Sequence, residues 1–417
     1  MQQIQHATPE LLASNPSWGV LQLDAESAFQ NVKRSRFLRR LRTKVPPLYP
    51  WARRCYARAQ PRYLRKEDGS FHVFWQTDGV GQGDPLGPAE HNFGLDELLH
   101  DLLQPLVDAA ILYYLDDGTI VGPVEELAKV VVEFTREGGQ LNFYDFTGMR
   151  LNIEKCSVWT LRSAFPAGDL PLHFSGDPEQ QRMMAAQERD RLRSIFPAAS
   201  HAMRGLREPA QKEPERSKDA HLSQGVKLLG SPVVGTDEFV DAELSETIAK
   251  ARVYVETAQR ILLGDGEHHH VAEYLALMRV TLPGRFTHHC GAVGSRLLPG
   301  KAIEFDNLQR WAYESVVGQL DETHIDAVTL LHSPTLWGGR GHVSAHRVCS
   351  AILVGSWAMT HASNRSRLGP IRRAPVLMDD SADAARAADS LLNVTTSELR
   401  QARPELEEWC EGLDLIE

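Results

Sequence analysis

The sequence predicts an α+β fold, with antiparallel strands in the first half of the chain and helices in the second. Two observations carry this prediction. Short apolar runs bounded by turn residues recur as far as residue 235, and this pattern is typical of strands and hairpins. From Asp241 onward the apolar residues recur at helical spacing, over 241–263, 272–282 and 305–317, which predicts helices packed on one another.

The composition is that of a soluble globular protein, since 42% of the 417 residues are hydrophobic and 24% are charged. This length is sufficient for two or three domains with their own cores. No apolar run approaches the roughly 18 residues of a membrane span, and the N-terminus lacks the features of a signal peptide. Five scattered cysteines indicate reduced thiols. We therefore expect a soluble intracellular protein without a membrane partner, in either the nucleus or the cytoplasm.

The first predicted strand, Gly19 to Leu23, ends at Asp24 and is followed at once by a helix. A carboxylate at the C-terminal end of a strand is a recurrent place for a catalytic or metal-binding residue. An ordinary helix N-cap is the alternative role for Asp24.

The charge of the chain is segregated. The net charge of −10 argues against a nucleic-acid-binding protein, yet residues 31–66 contain many basic residues and no acid. A block this one-sided repels itself unless it faces a polyanion, although a solvated basic face is the alternative. The candidate nucleic-acid-binding residues in the block are Arg39, Arg40, Arg42, Arg53, Arg54 and Arg58.

A hairpin is predicted over 62–76, followed by a glycine-rich loop at 79–88 and a helix over about 86–106. One side of the hairpin carries Phe71, Val73 and Trp75. The glycines of the loop fit neither a dinucleotide fingerprint nor a P-loop. A flexible loop that enters a helix leaves backbone N–H groups free to face an anion or a base edge.

Two adjacent carboxylates, Asp116 and Asp117, lie in the predicted tight turn of a hairpin between the apolar runs 109–115 and 118–122. Like charges this close repel each other, and a divalent cation is the usual compensation. An ordinary turn is the alternative, because the pair Asp117-Gly118 is by itself a common turn signal.

Further along, 148–156 predicts a turn and a strand with a lone lysine, Lys155. Residues 178–195 have helical composition, and the polar stretch 203–224 is typical of a linker or insertion. An apolar strand pair is predicted at 225–235.

Histidines cluster at 268–270 and 288–289. Neither cluster has acids or cysteines at ligand spacing. We therefore interpret these histidines as loop and helix-end residues and not as metal ligands.

Three carboxylates on two separate segments meet a requirement of two-metal phosphoryl transfer. This reaction needs acids from different strands that hold two divalent ions about 3.5–4 Å apart. One ion activates a primer hydroxyl, and the other takes charge from the leaving pyrophosphate. The candidates are Asp24, Asp116 and Asp117, with Lys155 as a general acid near the leaving group.

In this order the motifs resemble those of the reverse transcriptases, most closely those of non-long-terminal-repeat (LINE-type) retrotransposons. The resemblance extends over roughly residues 18–360, and four palm motifs in sequence are more specific than any one of them. The matching segments are Leu23-Asp24 with Ala28-Phe29, 79–86, Tyr114-Leu115-Asp116-Asp117, 148–155, 229–232, 336–341 and 356–358.

The resemblance implies a polymerase palm, made of an antiparallel sheet with helices, followed by an α-helical thumb and a C-terminal helical extension. It divides the chain into a palm at 1–175, a polar insertion or linker at 176–224, a primer-grip hairpin and thumb at 225–320, and an extension with a flexible acidic tail at 321–417.

The resemblance also implies roles for single residues. Asp24, Asp116 and Asp117 are the expected catalytic carboxylates. Together with the Ala25 carbonyl they are the expected ligands of two Mg²⁺ ions, with Mn²⁺ as an alternative. Lys155 is expected near the triphosphate.

Nucleotide binding is expected at Phe29, which would lie under the sugar and exclude a ribose 2′-hydroxyl. Gln82 would contact the incoming nucleotide, with Gly81 and Gly83 allowing close approach of the backbone. The basic residues would contact template or primer phosphates. The implied partners are an RNA template, a DNA primer and deoxynucleoside triphosphates.

The sequence departs from the family in one respect. The first motif begins close to Met1, which leaves too few residues for the basic fingers region that precedes the palm in this family. We therefore expect an N-terminally truncated element whose activity as an isolated chain is weak or absent.

The predicted function is that of an RNA-directed DNA polymerase by descent, and the oligomeric state is left open. The alternative is a non-catalytic nucleic-acid-binding relic of a retrotransposon. Phe29 disfavours an RNA-dependent RNA polymerase, and a group II intron maturase is disfavoured because no maturase-like domain is evident.

Overall fold

The computed structural model describes residues 2–81, 83–161, 178–207, 225–264, 270–293 and 297–318, and a few further residues between 331 and 356. The chain divides into two compact units. We name them the sheet unit (Asn15–Gly168 with Gly176–Ser223) and the helical unit (Met1–Ser14, Asp169–Ser175 and Gln224–Glu417). None of the helices that the structure describes is both long and apolar enough to cross a membrane.

The described helices and strands alternate in the first half of the chain, and helices dominate the second. In chain order they are α1 (Gln2–Ser14), β1 (Trp18–Leu23), β2 (Ala25–Glu26), α2 (Ala28–Asn31), α3 (Arg34–Lys44), α4 (Tyr49–Tyr56), β3 (Gln60–Arg65), β4 (Phe71–Gln76), α5 (Gly87–Asp96), β5 (Ala110–Tyr114), β6 (Asp117–Pro123), α6 (Val124–Thr135), α7 (Phe143–Thr147), β7 (Arg150–Leu151), β8 (Ser157–Thr160), α8 (Pro178–Ile195), β9 (Gly225–Leu228), β10 (Ser231–Gly235), α9 (Asp237–Leu262), α10 (Val271–Thr281), α11 (Gly284–Cys290) and α12 (Leu298–Val317). A π-helical segment (Glu97–Leu103) and a 3₁₀ turn (Gln104–Leu106) continue α5, so the helix predicted over about 86–106 is confirmed in a less regular form.

The sheet unit is built on a four-stranded antiparallel sheet in the order β5-β6-β1-β8. Strand β1 lies between β6 and β8, and its side chains Val20, Leu21 and Leu23 are buried. Its pairing with β6 ends at Leu23 opposite Gly118. Because β1 is a central strand, the residue that follows it, Asp24, leaves the sheet at its middle and not at an edge.

Helix α6 attaches to this sheet through an apolar stripe at helical spacing, which includes Leu127, Val130, Val131 and Phe134. Each side chain of this size that is fully buried contributes about 1.5–3 kcal/mol to stability. Helices α3 and α5 pack on each other in the same hydrophobic core. The α+β fold predicted from the sequence is confirmed.

Helix α8 has the bounds predicted from composition, Pro178–Ile195. The residues after it belong to the core of the sheet unit, because Phe196, Met203 and Leu206 are buried there. Arg204 also forms a parallel bridge with Ser157 of the sheet. The burial of these residues differs from the prediction of a linker over 203–224. Residues 208–224 lie outside the described part of the chain.

The helical unit combines the β9–β10 hairpin with α9 to α12. The turn of the hairpin has two residues with positive φ, Leu229 at +50° and Gly230 at +87°, as a type I′ turn requires. The hydroxyl of Ser231 lies 3.0 Å from Nδ1 of His289, within hydrogen-bond distance. Burial lowers the pKa of His289 to about 3, so this histidine is a neutral hydrogen-bonding residue.

The first helix, α1, also belongs to the helical unit, although it lies at the other end of the sequence. The side-chain amide of Gln5 donates to the carbonyl oxygen of Leu228 over 3.1 Å. His6 lies 2.8 Å from the hydroxyl of Ser356. Residues 2–14 therefore group with the helical unit, and the division of the chain into a palm at 1–175, a linker, a thumb and an extension stays a prediction.

Candidate active site

The two aspartates of the β5–β6 hairpin lie at its tip. Leu115 and Asp116 form the two-residue turn, and Asp117 is the first residue of β6, opposite Tyr114. Leu115 has a φ of +60°, a conformation that costs a non-glycine residue roughly 1–2 kcal/mol. Backbone strain of this kind is common at functional sites.

The packing around residue 118 explains why a glycine follows the two aspartates. A Cβ atom at this position would lie 2.4 Å from Cε2 of Tyr113. Tyr113 is the cross-strand partner of Gly118, and its ring therefore occupies the space that a side chain would need. The glycine lets the tyrosine ring pack directly behind the two aspartates.

Asp24 reaches the same place from the neighbouring strand. The last pair between β1 and β6 is Leu23 opposite Gly118. Asp24 therefore follows β1 at the end where Asp117 begins β6, and its charge acts on the carboxyl group of Asp117.

The backbone of Asp24 is fixed by the segment that follows β7. Its carbonyl oxygen accepts the backbone N–H of Asn152 over 2.9 Å. Its own N–H donates to Sγ of Cys156 over 3.4 Å. Cys156 is buried, and burial raises the pKa of its thiol to about 11, so it stays protonated as a packing residue. Nothing in the sequence indicates this role, since Cys156 is one of several scattered cysteines.

The three carboxylates repel one another. The pKa of Asp24 is raised by desolvation and by the charge of Asp116, and the charge of Lys155 opposes this shift. Asp117 is exposed as a residue, yet partial desolvation of its carboxyl group and the charges of Asp116 and Asp24 raise its pKa as well. A cation bound between these groups would relieve the repulsion.

The site fits a divalent cation by its charge and by its oxygen donors, which are the ligands that Mg²⁺ and Mn²⁺ prefer. Ala25, the predicted carbonyl ligand, lies next to Asp24 in β2. Among the described residues, however, no group of three or more acidic, histidine or cysteine side chains lies close enough together to hold a metal ion. The site therefore has the charge and the donor atoms of a cation site, but its described residues do not form an assembled set of ligands.

Phe29 follows this site in α2, and its ring stacks on the imidazole of His91 with 4.7 Å between centroids. His91 is fully buried in α5, and burial lowers its pKa, so the ring is neutral. Stacking on a buried neutral ring restricts the orientation of Phe29. The sequence motifs did not single out His91.

The glycine-rich loop is attached to the segment after Phe29. The N–H groups of Gly79 and Val80 donate to the carbonyl oxygens of Val32 and Phe29, over 2.9 and 2.8 Å. Gly79 has a φ of +74°, and a Cβ atom there would lie 2.2 Å from the carbonyl oxygen of Gln30. Only glycine fits this close approach. Gln82, the predicted nucleotide contact, lies outside the described residues.

A buried polar cluster supports the loop from beneath. The Tyr56 hydroxyl donates to Asp84, and the N–H of Gly81 donates to the Tyr56 oxygen over 3.1 Å. Nε of Arg34 donates to the carbonyl oxygen of Gly79 over 2.9 Å. Glu90 completes the cluster, and it is fully buried.

Glu90 has no hydrogen-bond partner for either carboxyl oxygen among the described residues, and the same is true of Nη2 of Arg34. Burial raises the pKa of Glu90 to about 7. The charge of Asp84 adds to the shift and that of Arg34 opposes it. A group this perturbed beside a candidate site is a candidate for a functional role.

The family model for reverse transcriptase (RNA-dependent DNA polymerase) matches residues 2–230, which is more than half of the chain. This match covers the strand end at Asp24, the glycine-rich loop and the aspartate hairpin. The chain belongs to the reverse transcriptase family.

Telomerases are among the solved structures that are similar to this chain. A telomerase from Candida albicans in complex with a fragment of telomeric RNA is 11% identical, with 90% of this chain and 54% of that chain covered and a TM-score of 0.34. An apo telomerase from Candida tropicalis is 10% identical, with 89% and 55% covered and a TM-score of 0.36. The chain thus spans about half the length of these proteins, and scores this low add nothing to the family assignment. No curated protein matches the chain significantly.

The predicted nucleic-acid-binding arginines of this chain fall into two groups. Arg39 and Arg40 of α3 pair with acids in and after α5. Arg39 contacts Glu97 at 2.5 Å, and Arg40 contacts Asp96 and, at 2.6 Å, Asp101. The other four arginines are exposed and have no ion pair with any described residue, namely Arg42, Arg53, Arg54 and Arg58. Arg39 and Arg40 are therefore neutralised by acids of the chain itself and need no external polyanion.

Proposed function

We propose that this chain is an RNA-directed DNA polymerase whose catalytic centre combines the strand end at Asp24 with the turn at Asp116 and Asp117. Membership of the reverse transcriptase family supports the proposal. The observation that carries it is the antiparallel pairing of β1 with β6, whose last pair, Leu23 opposite Gly118, adjoins both Asp24 and Asp117. Three mutually repelling carboxylates are retained there although they destabilise the free protein, as expected for a functional group of charges.

Nucleotidyl transfer joins a primer 3′-hydroxyl to a deoxynucleoside triphosphate and releases pyrophosphate. Two divalent cations, Mg²⁺ or alternatively Mn²⁺, would supply charge neutralisation at the attacking and leaving oxygens. Asp24, Asp116 and Asp117 would hold them together with the Ala25 carbonyl. The exposed Lys155 interacts electrostatically with Asp24 and would donate a proton to the leaving group.

Phe29 would select deoxynucleotides. Its ring is restricted by the stack on His91 and would lie where a ribose 2′-hydroxyl has to fit. Gln82 would contact the incoming nucleotide, and Gly81 and Gly83 would allow the backbone to approach it closely.

An RNA template with a DNA primer is the proposed polynucleotide substrate. The exposed arginines without ion pairs among the described residues would contact its phosphates, and they are Arg42, Arg53, Arg54 and Arg58. The order of the motifs favours descent from a non-long-terminal-repeat retrotransposon. Weak activity of the isolated chain stays a prediction.

A non-catalytic nucleic-acid-binding protein is the second candidate. The observation that favours it is that the described residues contain no assembled group of metal ligands. This candidate keeps the basic surface and gives the aspartates no role in binding.

Primer extension on an RNA template separates the two candidates. We expect at most weak extension with deoxynucleotides by the purified chain, its loss in Asp116→Ala, and its retention in the control Asp145→Ala, which alters an exposed aspartate of α7. Salt-sensitive RNA binding without any extension would favour the second candidate. Extension with ribonucleotides but not deoxynucleotides would contradict the proposed polymerase class.

A further inference from the structure

The β3–β4 hairpin carries an apolar surface that the rest of the sheet unit leaves open. Four large side chains form this apolar hairpin face, and their exposed fractions are 65% for Tyr63, 60% for Phe71, 43% for Val73 and 64% for Trp75. The pairing of Tyr63 with Val73 puts these two on one side of the hairpin, and alternation along the strands adds the other two. The face is therefore continuous.

The apolar hairpin face has an internal order but no cover among the described residues. The rings of Tyr63 and Phe71 meet edge to face with 6.4 Å between centroids. The two strands pair only with each other in the described part of the chain. Contiguous apolar patches on a protein surface commonly mark binding sites. The composition of this patch, which is mostly aromatic, limits what binds there.

Basic side chains outnumber acidic ones around the face, although the turn of the hairpin carries Glu67 and Asp68. Arg65 lies on the same side of the hairpin as Phe71, its cross-strand partner, and Lys66 follows it. Helix α4 adjoins the base of the hairpin, where the amide of Gln60 donates to the Cys55 carbonyl over 2.5 Å. The exposed basic residues of α4 and the turn after it are Arg53, Arg54 and Arg58.

Aromatic rings beside exposed guanidinium groups are the composition of a surface for single-stranded nucleic acid. The rings stack on unpaired bases, and the cations contact the phosphates. An apolar protein partner would not need the basic side chains. These side chains would also repel the same basic surface on a second copy of the chain. Charge and ring content therefore favour a nucleic acid over a protein as the occupant.

The hairpin also lies beside the glycine-rich loop. On the side opposite the apolar face, the guanidinium of Arg62 is 3.1 Å from the position of a Cβ atom on Gly81. Arg62 is held in place by Gln76 of the partner strand, with Nε donating over 2.8 Å. The apolar hairpin face thus belongs to a hairpin whose other side contacts the loop proposed to bind the nucleotide.

We propose that the apolar hairpin face binds the unpaired RNA template next to the catalytic centre, with Trp75 and Tyr63 stacking on its bases. This inference rests on the proposed polymerase function for the identity of the strand. The binding itself needs no catalysis, so it is measured independently of extension.

The test is the affinity of the full chain for a fluorescein-labelled single-stranded uridine oligonucleotide, measured by anisotropy. Stacking on one base is worth about 1–3 kcal/mol. We therefore expect Trp75→Ala to weaken binding about fivefold or more, and Trp75→Phe to restore most of it. The matched control is Leu64→Ala, since Leu64 is 61% exposed on the opposite side of the same hairpin. This control is expected to bind the oligonucleotide as tightly as the wild type does. The affinity for a fully paired RNA duplex is expected to be the same in Trp75→Ala and the wild type.

Equal affinity of Trp75→Ala and the wild type would overturn the inference, and so would an equal loss in Leu64→Ala. A change of sedimentation behaviour in Trp75→Ala without a change of RNA affinity would identify the face as a contact between copies of the chain, which also overturns it. The two proposals fail separately, because Asp116→Ala is expected to abolish extension and leave oligonucleotide affinity unchanged. Loss of extension in Trp75→Ala together with unchanged affinity would contradict only the inference about the hairpin.

Discussion

Replacing Glu90 by glutamine is expected to stabilise the sheet unit above neutral pH and to leave its stability nearly unchanged in acid. Glu90 is fully buried and has no hydrogen-bond partner among the described residues for either carboxyl oxygen. Its nearest charged groups are Asp84, which repels a negative charge, and Arg34, which attracts it. Glutamine keeps the shape of the side chain and removes its charge.

The magnitude follows from the pKa of Glu90, which is raised from 4.5 to about 7 in the folded protein. Each unit of pKa difference corresponds to about 1.36 kcal/mol. A carboxyl group with a raised folded-state pKa carries no penalty below its unfolded pKa, and the penalty is complete above its folded pKa. The ionised Glu90 therefore costs about 3 kcal/mol at about pH 8.5, and well under 1 kcal/mol at about pH 4.5.

The assay is urea unfolding of the wild type and Glu90→Gln at both pH values, followed by circular dichroism. We expect the variant to be more stable by about 1–3 kcal/mol at the higher pH only, because the new amide also has to find partners. Glu137→Gln, at an exposed position, is the control for a general charge effect. A variant that is less stable than the wild type at about pH 8.5 would contradict the claim that ionised Glu90 destabilises the fold. It would show that Glu90 and Arg34 form a favourable buried ion pair.

Three further predictions concern the loop, the basic surface and nucleotide selection. In equilibrium unfolding, Gly79→Ala is expected to destabilise the fold by more than about 3 kcal/mol because its Cβ atom would lie 2.2 Å from a backbone oxygen of α2. Gly83→Ala, with a φ of +87° and open space around it, is expected to cost only about 1–2 kcal/mol. When RNA affinity is measured over a range of salt concentrations, Arg53→Ala is expected to reduce the slope of log affinity against log salt concentration by about 0.7. Arg40→Ala should leave the slope unchanged and lower stability, because Arg40 already pairs with acids of the chain. In single-nucleotide incorporation, Phe29→Val is expected to raise the use of ribonucleotides relative to deoxynucleotides by about tenfold or more. An unchanged ratio would remove Phe29 from sugar selection.

Much of the fold follows from local patterns in the sequence. The apolar run that ends at Leu23, the hairpins at 62–76 and 109–122, and the helix Pro178–Ile195 all occur where spacing and turn residues predicted them. These elements depend on neighbours in sequence, such as alternation along a strand or a glycine after a turn. The chemistry of two-metal transfer and the family resemblance grouped Asp24 with the aspartate hairpin as candidates for one site, but no local pattern predicted that β1 and β6 pair.

Features that depend on distant residues were not predictable in this way. The acids that neutralise Arg39 and Arg40 lie more than fifty residues further along the chain. The burial of Glu90 and His91 also has no local signal, since two adjacent polar residues in a helix are usually exposed. Periodicity shows which face of an element is apolar, but it does not show which partner covers that face.

The loop cluster was missed for a related reason. The glycines of 79–88 indicate a flexible loop, yet the structure fixes that loop through Tyr56 and Arg34, which lie in helices of the basic block. Arg34 belongs to that block by sequence and to the loop support by position. Charge counting along the sequence cannot separate these two roles.

The most direct test of the catalytic centre is single-nucleotide incorporation by the wild type and Asp116→Asn over a range of Mg²⁺ concentrations. The proposed centre predicts that incorporation by the wild type rises with Mg²⁺ and disappears in a chelator, and that Asp116→Asn shows none at any concentration. Glu154→Gln, at an exposed position beside Lys155, is expected to behave as the wild type does. Incorporation that continues in the chelator, or an Asp116→Asn variant as active as the wild type, would contradict the assignment of the aspartate hairpin as the polymerase centre.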